Sequence, residues 1–178
     1  MKLSDLLIES DHAHIHEWCK KYGITNYVIG KHSGLVHVQG NVDLSNKGLT
    51  SFGVKFGTIE GNFKCNNNML TSLEHGPKYV EGDFYCFVNN ILSLEHGPKY
   101  VGGEFDCRFN KLTTLKGAPV EVGRDFYCRH NDLHSIDGAP KLVGGEFSCG
   151  FNAITFNEID IRKICDVKGQ VVTGQVVT

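Results

Sequence analysis

The sequence predicts an α/β solenoid: a stack of short coils, each adding one strand to a parallel β-sheet of six strands. Three observations predict it. The nine residues SLEHGPKYV occur twice unchanged, at Ser72–Val80 and Ser93–Val101, 21 residues apart. That step generates columns of one residue type: Leu49, Leu70, Ile91, Leu112, Leu133 and Ile154; Phe52, Leu73, Leu94, Leu115 and Ile136; Val38, Ile59, Val80, Val101, Val122 and Val143; Val42, Phe63, Phe84, Phe105, Phe126 and Phe147; Leu44, Cys65, Cys86, Cys107, Cys128 and Cys149. Finally, all four prolines (Pro77, Pro98, Pro119, Pro140) share one phase, as do Asn68, Asn89, Asn110, Asn131 and Asn152, and a residue type confined to one phase serves a fixed backbone geometry.

Residues 1–40 read as an N-terminal cap. A short helix is followed by an amphipathic one over about Asp11 to Tyr22, because Ile15, Trp18, Cys19 and Tyr22 lie on one helical face and Gly23 sits where a helix should stop. NYVIG and LVHVQG flank the turn KHSG as a hairpin. Residues 41–154 form the array. In Phe105-Asp106-Cys107 the alternation marks a strand with Phe and Cys inward, Gly102-Gly103 permits a sharp turn before it, and proline suits an extended return. The Asn after the strand bonds the backbone of its turn. Residues 155–178 read as a C-terminal cap and tail: Asn157 is an N-cap, Ile161, Ile164 and Cys165 share a face, and Gly169 is the stop. Asn157 stands where the repeat would place Leu, so the repeat is expected to have ended, with GQVVTGQVVT as a hairpin or loose edge strand.

The stretch FDCRFNKLTTL, Phe105 to Leu115, resembles the leucine-rich repeat consensus over roughly Val38 to Ile154, and the 21-residue period with proline in the variable half is similar to the short bacterial type. Three departures are visible: Cys replaces the leucine before Asn, the upstream leucine is a Val displaced by one place, and Gly-Gly often lies between. The resemblance implies a right-handed superhelix with a mostly extended convex side and a concave sheet face that binds another protein. In the style LTSLExxPKxVGGxFxC the copies also resemble small repeat proteins of tailed bacteriophages, which implies a host bacterial cytoplasm and a host protein as partner.

Composition narrows the function classes. A formal charge of −2 with 21% charged residues offers no polycationic surface for nucleic acid or anionic membranes. No apolar run approaches the ~18 residues of a membrane span, and MKLSDLLIES lacks the pattern of an export signal, so a soluble cytoplasmic protein is expected. The five cysteines of the repeat read as small apolar core residues, because a single-file row lacks the convergence of a metal site and places neighbouring thiols awkwardly for disulfides.

The expected function is a non-catalytic protein-binding module with no cofactor or metal. The candidate residues stand on the outward positions of the sheet: Tyr85, Phe87, Asp106, Arg108, Tyr127 and Arg129, types enriched at interface hot spots, beside an acidic column of Asp83, Glu104, Asp125 and Glu146. Two alternatives stay open. His12, His16 and Cys19 could bind Zn²⁺ or act as a Cys–His enzyme, against the plainer reading of surface histidines beside a packed Cys19. The GQVVTGQVVT edge could support a structural role or a homo-oligomer.

Overall fold

A computed structural model describes residues 3–174, and the protein is a parallel β-solenoid of about seven turns with helices at its two ends. It opens with α1 (Leu3–Lys21), one continuous helix where two were expected. Gly23, at φ +67°, ends it as anticipated, with the Gly23 N–H donating to Lys20 O and the Ile24 N–H to Cys19 O. Ile15 and Cys19 are buried, and Trp18 packs tilted against Tyr22 at 4.5 Å and meets Phe56 edge-on at 5.9 Å. The helix thereby covers the first coil of the array. The expected hairpin follows: β1 (Tyr27–Ile29) runs antiparallel to β2 (Val36–Val38).

From β2 onward each coil contributes two strands, which corrects the expectation of one six-stranded sheet with an extended opposite side. β3 (Val42–Asp43), β5 (Phe63–Lys64), β7 (Phe84–Tyr85), β9 (Phe105–Asp106), β11 (Phe126–Tyr127) and β13 (Phe147–Ser148) build the anticipated Phe sheet. The Val column forms strands of its own: β4 (Phe56–Ile59), β6 (Tyr79–Val80), β8 (Tyr100–Val101), β10 (Glu121–Val122) and β12 (Leu142–Val143). The reason is register. A period of 21 brings every phase back to the same place, so any extended segment finds its copy one coil away and pairs with it, as Val80 does with Val101. The sheet orders are β1-β2-β4-β6-β8-β10-β12-β14 and β15-β13-β11-β9-β7-β5-β3.

The last two strands, β14 (Asp166–Val167) and β15 (Val171–Val172), lie beyond the point where the repeat was expected to end. Leu142 pairs with Asp166 and Phe147 with Val171, each 24 residues on, so this turn is three residues longer and accommodates α2 (Glu158–Ile164). Asn157 caps α2 as predicted, its side chain accepting from the Ile159 N–H at 2.8 Å. The helix stops at Ile164, ahead of Gly169, because Asp166–Val167 is drawn into the sheet. Ile154, expected in the core, is exposed, and Phe156 is buried near it. Arg162 of α2 donates to Val167 O at 2.6 Å and Gly169 O at 2.9 Å, satisfying carbonyls at the terminal edge of the Val sheet. Gln175–Thr178, the second half of the tail on which the self-association reading rests, lies outside the described residues.

Inside, the Phe rings lie one upon another. Phe63–Phe84 centroids are 5.5 Å apart, Phe84–Phe105 5.3 Å and Phe105–Phe126 5.4 Å, with planes within 10° of parallel, and Phe126–Phe147 are 5.1 Å apart at a wider tilt. All five are fully buried. The Asn column ties coil to coil. Nδ2 of Asn110 donates to Cys107 O in its own coil at 3.1 Å and to Cys86 O in the preceding one at 3.0 Å, while its Oδ1 accepts from the Ile91 N–H at 2.9 Å. Asn89 and Asn131 do the same. Each is the shared partner of three buried backbone groups that would otherwise be orphaned.

Candidate interaction surface

The outer face of the Phe sheet carries the candidates. Lys64, Tyr85, Asp106, Tyr127 and Ser148 stand in register across β5 to β13. Two residues further on in each coil come Phe87, Arg108 and Arg129. The structure brings them together: the Arg108 guanidinium lies 5.1 Å from the Tyr127 ring centroid and 5.9 Å from Phe87, Arg129 lies 5.8 Å from Tyr127, and Tyr85 and Phe87 are 6.1 Å apart. The result is a continuous aromatic and guanidinium band.

Asp106 is the correction within this set. It was expected on the surface, yet only 1% of it is accessible, because Arg108 closes over it with Nε at 2.9 Å from Oδ1 and Nη2 at 2.6 Å from Oδ2. Asp106 therefore holds Arg108 in place and meets no partner directly. The bond raises the Arg108 pKa further above its usual value. Ser148, at the same position two coils on, is also buried, and its Oγ has no hydrogen-bond partner.

The acidic column divides by residue type. Asn41, Asn62, Asp83 and Asp125 each use Oδ1 to accept the N–H of the residue one coil later, Asn62, Asp83, Glu104 and Glu146, at 2.7–2.8 Å. A Cβ on Gly61, Gly82, Gly103 or Gly145 would strike those same Oδ1 atoms, so an Asn or Asp requires glycine 20 residues on. Glu104 is too long to make this contact, and 20 residues beyond it the chain has Arg124 instead of glycine. That coupled pattern was visible in the sequence, and position-by-position reading of the columns missed it. Asp83 and Asp125 are thus committed to stacking the coils. Burial raises the Glu104 pKa, helped by the nearby Asp106, Asp83 and Asp125 and opposed by Arg108. Burial likewise raises Tyr85, with Glu104 and Asp83 adding to it, and Tyr127, with Asp125, Glu146 and Glu104 adding.

At the end of each Phe strand one residue adopts the left-handed conformation: Asn46, Asn67, Val88, Phe109, His130 and Phe151 have φ between 52° and 56°. Asparagine tolerates this geometry; valine and phenylalanine strain in it. Val88, Phe109 and Phe151 nonetheless expose 45%, 49% and 45% of their surface. Phe109 and Phe151 stack on the two faces of His130 at 4.4 and 4.6 Å. Burial lowers the His130 pKa, with Arg129 and Arg108 adding to the effect.

Of His12, His16 and Cys19, two meet at one hydroxyl: His16 Nδ1 bonds the Tyr27 hydroxyl at 2.6 Å, and the Cys19 thiol also hydrogen-bonds Tyr27. Cys19 is fully buried, and burial raises its thiol pKa against that bond, while His12 lines a separate cleft. Among the described residues no group of three or more His, Cys, Asp or Glu side chains could hold a metal ion. All seven cysteines are buried and unbridged, and burial raises the thiol pKa of each repeat cysteine. No helix among the described residues is long and apolar enough to cross a membrane.

No protein-family model matches the chain, and no curated protein or solved structure is significantly similar to it.

Proposed function

We propose that this chain is a non-catalytic protein-binding module of the leucine-rich-repeat type, a right-handed solenoid that takes a partner protein on the band of Tyr85, Phe87, Arg108, Tyr127 and Arg129 and on the adjoining row of Val88, Phe109, His130 and Phe151. Glu104 and Glu146 flank the band and favour basic groups on the partner. The Asn ladder and the 21-residue period support the repeat type. The proposed setting, taken from the resemblance of the copies to small repeat proteins of tailed bacteriophages, is the host cytoplasm, with a host protein as the proposed partner.

The left-handed row carries the reading. The first two coils fill that position with Asn46 and Asn67, the inexpensive choice, while the next four use Val, Phe, His and Phe. Holding a non-glycine residue there costs on the order of 1 kcal/mol or more each. Ring stacking recovers about 0.5–1.5 kcal/mol per pair, and Val88 has no such stack. Exposed aromatic side chains held at that expense beside arginines have the composition of an interface centre.

The test is capture from a bacterial host lysate with the full chain and with a Tyr85→Ala, Tyr127→Ala, Arg129→Ala variant. Arg108 is left intact because its loss would strand Asp106. A protein retained by the parent and released by the variant, at unchanged melting temperature, is the expected result. Equal retention by both chains would refute the reading.

A further inference from the structure

The N-terminal cap and the first coils enclose a second feature, distinct from the sheet face. A cleft of about 490 Å³ opens between α1, the β1–β2 turn and the coil segments around Val54 and His75. Among the described residues its ionisable lining is His12 and His14 from the helix, Lys31 and His32 from the hairpin, and Lys55 and His75 from the coils. Each of these six is a base, in a chain whose net charge is −2. The nearest carboxylate paired to any of them among the described residues is Glu74, 3.8 Å from His75 Nε2, and neither lysine forms an ion pair with a described residue. Ile15 and Val54 supply an apolar floor, with Ser33, Gly34 and Gly53 completing the wall.

Bases gathered on one concave surface raise the local positive potential, which attracts and concentrates anions. The volume falls within the range of small-molecule sites. The imidazoles do not converge on a cation, since no metal-holding group of three exists among the described residues. We propose that this cleft binds a small polyanion bearing two or more phosphate groups, held by the ammonium groups of Lys31 and Lys55 and by ring N–H donors of His12, His14, His32 and His75.

The test is an amide and phosphorus NMR titration of the full chain with tripolyphosphate, orthophosphate and ATP at low salt. The expected result is saturable tripolyphosphate binding, with shifts confined to α1 near His12, Lys31–Gly34, Gly53–Lys55 and His75. Orthophosphate should bind more weakly. ATP binding as tightly as tripolyphosphate would assign recognition to the phosphates alone; tighter binding would add the nucleoside. Lys31→Gln with Lys55→Gln should lower affinity about tenfold, and His32→Gln with His75→Gln should lower it by a smaller factor. These side chains lie outside the core, so folding is checked by an unchanged melting temperature. Absence of saturation, shifts elsewhere, or a lysine variant that binds like the parent would overturn the proposal.

Discussion

The first two coils and the four that follow share one backbone and one core and differ on the outside. Phe63 in the second coil and Phe105 in the fourth are equally buried, Phe63 stacked on Phe84 and Phe105 on both Phe84 and Phe126. At the outward positions of the Phe sheet the second coil has Lys64, Asn66 and Asn67 where the third has Tyr85, Phe87 and Val88 and the fourth Asp106, Arg108 and Phe109, of which Asn66 and Asp106 are buried. The interior must repeat because each coil packs only on its neighbours. The surface is released from that constraint, so its departures from polar, relaxed residues report something other than folding.

The comparison can be broken most forcefully at the core. Phe84→Ala, Phe105→Ala and Phe126→Ala should each cost about 3–5 kcal/mol in denaturant unfolding, and agree with one another. A markedly smaller loss at one of them would show that the stack is not uniform.

The next effect separates the coils. Arg108→Ala uncovers Asp106 and leaves it without its ion pair, and should cost about 1.5–3 kcal/mol, whereas Lys64→Ala, at the place of Asp106 in the second coil, should stay within roughly 0.5 kcal/mol. Replacing Asp106 with Ser, the residue of the sixth coil, should restore most of the stability of Arg108→Ala. Failure of that rescue in a double-mutant cycle would contradict the pairing.

Exchanging the left-handed residues should move stability in opposite directions. Val88→Asn should raise it by about 1 kcal/mol and Asn67→Val lower it by a similar amount, both read as changes in unfolding midpoint. If both changes are silent, the strain that carries the functional reading is absent.

The smallest effect is electrostatic. The folded-state pKa of Glu104 is raised, so its ionised form is disfavoured in the native protein and stability is gained as pH falls through that value. Glu104→Gln should therefore melt higher than the parent near pH 7, with the gap closing by about pH 4. A gap that widens on acidification would reverse the sign of the shift.

Much of this was legible in the sequence. The period, the Phe and Asn columns, the cysteine burial, the hairpin and the Asn157 cap follow from spacing alone, because a fixed period forces equivalent residues into equivalent places. The Val strands were not legible, since Tyr100–Val101 is only two residues long and carries no alternation to read. Nor was the return of the chain to both sheets at Asp166 and Val171, because α2 breaks the phase by three residues. Asp106 was misplaced for a different reason: whether an outward side chain is exposed depends on what a neighbour two positions away folds over it.

By itself the sequence determined the coil, its length and its filling, since periodicity is a one-dimensional property that needs no coordinates. Only the tertiary structure decided which outward residues remain accessible, which acids are spent on stacking coil upon coil, and that six bases from four separate segments meet in one cleft. Those outcomes depend on distances between residues far apart in the chain, and no local pattern encodes them.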